Sequence, residues 1–193
     1  MNKIWKNMRM FLWLTLITGI VYPLVITGIA QLTMKKKADG DFLYYQEKIV
    51  GAVLIAQKFE SDRYFWPRPS ANDFNPLASG GSNLGPTSTA LKQSVEKRQK
   101  NILRADPAAK SAIPVELLFA SGSGLDPHIS LSAAYFQVAR VAKTRKINEK
   151  DIQDLVGRMA ERRYWGVLGE PYVNVLLLNM ALDNLSLTTK SAI

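Results

Sequence analysis

The stretch MFLWLTLITGIVYPLVITGIAQL, Met10 to Leu32, runs for twenty-three residues without an Asp, Glu, Lys or Arg. Lys3, Lys6 and Arg9 precede it, and Lys35, Lys36 and Lys37 follow. At 1.5 Å per residue a helix of this length measures roughly 34 Å, enough to cross a hydrocarbon core of about 30 Å with some tilt. A transmembrane helix over 10–32 is therefore expected, with a short tail at 1–9. Two other readings compete. A cleaved signal peptide has an apolar core of roughly 7–15 residues and a small-x-small cleavage site, for which only the Gly28 and Ala30 pair offers itself. A buried helix of a soluble domain rarely stays uncharged on every face for so long.

Within the span, Gly19, Gly28, Thr15, Thr18 and Thr27 are the small or hydroxylated residues that let helices approach closely in lipid. Tyr22 and Pro23 sit near its middle. Pro23 removes one backbone donor, tolerable where a neighbour or a Thr hydroxyl satisfies the freed carbonyl. The span is expected to pack against protein, the alternative being a lone anchor with incidental small residues.

Outward from the span, 33–48 is polar and is expected to be a connector, leaving 49–193 as one domain of a size that buries a real core. Cysteine is absent, which excludes disulfides, a thiolate nucleophile and thiolate metal sites. The net charge of +9 carries little weight for nucleic acid, because six of the 25 Lys and Arg residues flank the span and no recognition motif is visible. Anionic lipid headgroups account for the juxtamembrane lysines equally well. The basic tail leans towards a cytoplasmic N-terminus and a domain outside.

The expected fold class is α/β (α+β): one N-terminal transmembrane helix, then a single mixed domain. Ile49 to Phe59 is β-rich and suits a buried strand, Tyr64 to Trp66 a second, and Val115 to Ala120 a third. Val173 to Leu178 suits a final strand, with a helix possible from Asn179. Arg68 to Pro86 is rich in Pro, Ser, Asn and Gly and should be a long loop, packed through Phe74, Leu77 and Leu84. Thr87 can cap a helix from Ser88 to about Leu103, and Ser130 can cap one carrying Leu131, Ala134, Tyr135, Val138, Val141 and Ala142. Asn148 and Asp151 resemble a capping box for a helix ending near Arg163.

Candidate chemistry concentrates at Ser121, Gly122, Ser123 and Gly124, a glycine-rich junction able in principle to cradle a phosphate. Neither phosphate-loop nor dinucleotide-binding spacing is present, so a tight structural turn is the competing account. His128, the only histidine, could join Asp126 and Ser121 or Ser123 in a hydrolytic triad, but side chains so close in one turn seldom converge, and a loop-bracing role competes. Metal-ligand spacing is absent. Arg68 beside Pro69, with Tyr64, Phe65 and Trp66, could form a partner surface or simply pack.

Taken together, these pieces resemble one family. They are Thr18, Gly19, Tyr22, Pro23 and Leu24; Gln57 to Phe59; Phe65 with Arg68, Pro69, Ser70 and Ala71; Ser79-Gly80-Gly81-Ser82-Asn83-Leu84-Gly85-Pro86; Ala120 to Ser130; and Leu168 to Asp183 with Gly169, Glu170, Pro171, Asn174, Val175, Asn179 and Asp183. The chain resembles, over nearly its whole length, the C subunits of Kdp potassium-transporting ATPases. The resemblance implies a complex in the bacterial inner membrane with a channel-like pore subunit, a P-type ATP-hydrolysing subunit and a very small fourth subunit. This chain would be its single-span accessory, needed for assembly and stability, with its domain in the periplasm. An Asp-Lys-Thr-Gly-Thr phosphorylation motif is absent, so catalysis would lie in the partner, and no catalytic residue or metal is expected here.

The family carries two functional descriptions: a chaperone that raises the partner's ATP affinity, and a periplasmic element near the pore entrance. The first attaches to a Leu-Ile-Gly-Gln stretch likened to an ABC signature. Here that stretch is Leu54, Ile55, Ala56, Gln57, which keeps Gln57 and loses the glycine that would let a backbone amide approach phosphate. Leu131 stands where the family often starts its helix with Pro, a change of small cost. A domain outside the membrane meets no ATP, so no stably bound cofactor is expected. The rival account is a free-standing anchored hydrolase or anion-binding protein.

Overall fold

In the computed structural model, residues 3–45, 47–109 and 111–191 are described, with no statement made about side chains from 186 onward. Lys3–Thr33 forms one long helical stretch: α1 (Lys3–Leu16), a π-turn (Ile17–Val21) and α2 (Tyr22–Thr33). Among the described residues it is the one helix long and apolar enough to cross a membrane, and none of its hydropathic window is buried inside the structure. The π-turn has a local cause. Pro23 cannot donate to the carbonyl four residues back, and the chain widens just before it, with the Tyr22 N–H bonded to Ile17 O. The Thr18 hydroxyl donates to Leu14 O at 2.7 Å rather than to the carbonyl that Pro23 leaves open. Gly19 and Gly28 have open space where a Cβ would stand, and Tyr22 is exposed.

The chain divides into two units, Met1–Val50 and Gly51–Ile193. The first ends in a short helix α3 (Lys35–Ala38) and the strand β1 (Phe42–Tyr45), which pairs with β2 (Lys48–Ala52). The stretch 33–48, expected as a connector, thus holds a short helix and a strand.

The second unit is built on three helices. α5 (Leu131–Arg145) packs on α6 (Glu149–Met159), and α6 on α7 (Val175–Ser191). A small antiparallel ribbon of β3 (His128–Ser130) and β4 (Tyr172–Asn174) packs against them in the register His128 with Asn174 and Ser130 with Tyr172. Phe65, Ile129, Val138, Val141, Ile152, Val156, Val173, Leu178 and Leu182 are fully buried. Each such side chain contributes about 1.5–3 kcal/mol through removal from water. α4 (Thr89–Ala105) lies on the flank with only Ile102 buried. Its cap is Ser88, whose Oγ accepts from the Leu91 N–H, and not Thr87. Ser130 caps α5 by accepting from the Ala133 N–H. Asn148 caps α6 through the Lys150 N–H.

Both helices and ribbon fit the α+β class, but four expected strands are corrected. β2 stops at Ala52, where a turn leaves Leu54 and Ile55 exposed, so the run to Phe59 is not a strand buried on two faces. Pro114 opens a 3-10 turn at Val115–Leu117 in place of a strand, with Val115 exposed. After Asn174 the chain becomes α7 because the Asn174 Oδ1 accepts from the Leu177 N–H and caps it, so β4 covers only the first residues of the run expected as a strand. Tyr64 to Trp66 forms no strand because side chains replace the ladder. Asn179 accepts from the Phe65 N–H at 2.8 Å and donates to its carbonyl at 3.0 Å, and Gln137 does the same for Trp66 at 2.8 and 3.2 Å. α6 ends at Met159, short of Arg163.

Candidate functional site

Three segments singled out by sequence meet in space: 68–70, 79–85 and 121–128. The Ser121 N–H donates to Pro69 O at 3.0 Å, and the Gly80 N–H to Ser123 O at 2.8 Å. The Ser79 hydroxyl also donates to Ser123 O, at 3.1 Å. Glycine is required where they touch. A Cβ on Gly124, whose φ is +69°, would stand 2.4 Å from Asn72 Oδ1 and 2.9 Å from Gly80 O. A Cβ on Gly81 would stand 3.0 Å from Gly122 O. Ser82, Asn83 and Gly85 lie exposed beyond this contact, with Asn83 at φ +51° and the Gly85 carbonyl accepting from the Ser88 N–H. The loop is therefore held by its backbone, and its apolar side chains do less than expected: Leu77 is 95 % exposed.

Charge closes the contact on one side. The Arg68 Nη1 meets Asp126 Oδ2 at 2.9 Å, both side chains being 29 % exposed, while Asp126 Oδ1 accepts from the His128 N–H at 3.1 Å. His128 stacks on Tyr172 with ring centres 4.4 Å apart. The Tyr172 hydroxyl donates to Glu161 Oε2 at 2.7 Å, and that bond pushes the phenol up to about 12. A cleft of about 360 Å³ opens beside these groups, lined by Arg68, Glu116, Asp126, His128, Ser130 and Tyr172. Ser70 Oγ is used locally, accepting from the Asn72 and Phe74 N–H groups.

The triad arrangement does not assemble. Ser121 is buried at 2 % exposure, the Ser123 Oγ accepts from the Leu125 N–H, and His128 faces Tyr172. The Nδ1 of His128 lies 3.7 Å from Asp126, too far for a hydrogen bond. Among the described residues no group of His, Cys, Asp and Glu could hold a metal. Gln57 lies against Gly51, so closely that a Cβ there would stand 1.9 Å from its Nε2, and the Ala56 N–H donates to Leu125 O at 3.0 Å. The Ala56 amide is thus committed within the domain. Lys58 ties the same segment to the loop through Asp73 at 2.8 Å.

On the far side of Arg68 a second cavity of about 460 Å³ is lined by Trp66, Phe74, Arg98, Phe136 and Arg140. Arg140 is 5 % exposed, stacks on Trp66 with its Cζ 4.1 Å from the ring centre, and donates to Asp62 O and Gln137 Oε1 at 2.7 Å each. Burial pulls its guanidinium down to about 10, well above neutral, so it stays charged. Burial lowers Arg98 as well. Beside them Arg145 pairs with Asp183 at 2.7 Å, its Cζ 4.7 Å from the Tyr64 ring centre, while the Tyr64 hydroxyl donates to Asp183 Oδ2 at 3.1 Å. Tyr64, Phe65 and Trp66 are thereby held by α5 and α7. Gln137, Arg140 and Arg145 were not singled out by motif or spacing. Their signal was a buried polar face within an otherwise apolar helix pattern.

A helix long and apolar enough to cross a membrane, followed by a small α+β unit whose glycine-rich loops are fastened to one another, fits the class of membrane-anchored proteins. Residues 4–184 match the family model described as K+-transporting ATPase, c chain, and the chain belongs to that family, KdpC. A protein of Dechloromonas aromatica named potassium-transporting ATPase KdpC subunit is 49 % identical over 180 residues, covering 92 % of this chain and 94 % of that one. Proteins of the same name from Serratia proteamaculans and Leptospira interrogans are 46 % identical over 188 residues and 49 % over 184; they cover 96 % and 95 % of this chain, and 100 % and 95 % of their own lengths.

Proposed function

We propose that this chain is the non-catalytic, single-span accessory subunit of a potassium-transporting P-type ATPase in the bacterial inner membrane. Its partners are a channel-like pore subunit, an ATP-hydrolysing subunit and a small fourth subunit. Residues 1–9 lie in the cytoplasm, 10–32 span the bilayer with Gly19, Tyr22, Pro23 and Gly28 against neighbouring helices, and the domain lies in the periplasm. There it supports assembly and shapes the pore entrance.

The observation that carries this reading is the mutual fastening of the motif loops. Residues 68–70, 79–81 and 121–126 spend their amides and charges on one another, which suits a preformed docking surface better than an open reaction site. Ser82, Asn83 and Gly85, left exposed beyond the contact, are the segment offered to a partner. On this reading the chain holds no ATP stably. The Ala56 amide is spent inside the domain, and Gln57 is a packing residue beside Gly51. Any effect on the partner's nucleotide affinity passes through the complex as a coupling free energy, typically about 1–3 kcal/mol.

Coexpression with the pore and ATP-hydrolysing subunits, followed by detergent extraction and affinity purification through a tag on this chain, tests the proposal. All subunits should elute together. Elution of this chain alone contradicts it.

A further inference from the structure

Residues 161–172 form a narrow arm that walls one side of the cleft beside Arg68 and His128 through Arg162, Tyr164, Leu168 and Tyr172. Glu161 and Tyr172 exchange both backbone bonds at 2.9 and 3.2 Å, Tyr164 and Leu168 exchange both at 2.9 and 3.0 Å, and Arg163 reaches Glu170 at 3.4 Å. At the turn Trp165 takes φ +51° and Gly166 φ +76°. Glycine adopts that conformation without strain and tryptophan does not. The tip presents Trp165 at 91 % exposure, Val167 at 75 %, Tyr164 at 69 % and Leu168 at 56 %. None of the four belongs to the hydrophobic core. Scattered exposed apolar residues are ordinary, but four within five positions on a braced hairpin are not.

The chemistry selects the occupant. No charged side chain lies between Tyr164 and Gly169, while at the base of the arm Arg163 is paired with Glu170 and Arg162 stands beside Glu161. Tyr and Trp pair an apolar ring with a polar group and favour the membrane interface, and arginine pairs with anionic headgroups. The domain also follows a helix long and apolar enough to span a bilayer, with only residues 34–50 between them, so even a weak surface contact acts at high effective concentration.

We propose that the tip Tyr164–Leu168 inserts at the headgroup–acyl boundary of the bilayer that holds the N-terminal helix, with Arg162 on anionic headgroups. The contact gives the domain a second point of attachment. It rests on the reading of 10–32 as a membrane span.

The absence of cysteine makes the test direct, since one introduced thiol labels one site. Full-length chains carrying Val167→Cys, Ile26→Cys or Leu77→Cys are labelled with an environment-sensitive fluorophore and reconstituted in vesicles of phosphatidylethanolamine and phosphatidylglycerol. Doxyl-labelled lipid is then added as quencher. The label at 167 should shift to the blue and lose most of its emission to the doxyl lipid, that at 26 should be quenched, and that at 77 should stay water-like. Trp165→Ser or Arg162→Gln in the Val167→Cys chain should weaken the effect. An unquenched, water-like label at 167 beside a quenched one at 26 overturns the insertion while leaving the anchor standing. Failure at 26 removes the anchor and the insertion with it. A label at 167 that shifts only when partner subunits are present, without lipid quenching, assigns the tip to a protein pocket and overturns the proposal.

Discussion

The side-chain amide of Asn179 pairs with both backbone groups of Phe65, 114 residues earlier in the chain, as a neighbouring strand would. Asn179 is 2 % exposed and Phe65 is fully buried, so neither amide has water as an alternative partner. Asn179→Ala leaves a buried donor and acceptor unpaired, each costing about 1–3 kcal/mol. Urea unfolding followed by circular dichroism should show that loss in the midpoint. Asn179→Asp keeps the acceptor and loses the donor, and also introduces a buried charge, so it should be no milder.

Arg68 and Asp126 hold two motif loops together from 58 positions apart. At 29 % exposure each, the pair is worth more than a surface ion pair, whose usual range is about 0–1 kcal/mol. A double-mutant cycle of Arg68→Gln and Asp126→Asn should give a coupling energy of about 1.5–3 kcal/mol. Zero coupling would show the loops to be held by their backbone bonds alone.

Gly51 and Gln57 test the packing role assigned to Gln57. Gly51→Ala sets a methyl 1.9 Å from the Gln57 Nε2 and 2.8 Å from Leu176 Cδ2, and should destabilise by about 1–3 kcal/mol. Adding Gln57→Ala should restore part of that loss. Gln57→Ala alone should leave the ATP dependence of an assembled pump unchanged.

Tyr172 supplies a pH dependence. Its phenol is raised to about 12 by the bond it donates to Glu161, so the pair's stabilisation is complete below pH about 10, the unfolded value, and disappears as pH rises from there to about 12. The wild-type chain should lose melting temperature relative to Tyr172→Phe across that interval, and absorbance titration should find one tyrosine fewer ionising late in the variant.

How much of this was legible in sequence depends on which partner each residue uses. The helix after Ser130 and the apolar span were readable because capping and hydropathy are local properties. The strand expected at Tyr64 to Trp66 failed because the atoms that pair with its backbone belong to Asn179 and Gln137, on helices far along the chain. The run from Val173 changed class after two residues because one side chain, Asn174, caps a helix within an apolar pattern that fits either state. Arg68, Gly80, Ser121 and Asp126 were singled out by motif, but that they touch one another is a long-range fact. Tyr135 sat on the apolar face by spacing yet is 45 % exposed, since α5 turns Gln137 and Arg140 inward instead.

The proposed placement of the domain outside the membrane, away from the site of ATP hydrolysis, is tested most directly by topology. Trypsin added to intact spheroplasts should cleave the domain while a cytoplasmic control protein survives. A domain that stays intact while a periplasmic control is cut, and is cleaved only after permeabilisation, would put it on the side where ATP is and contradict the claim.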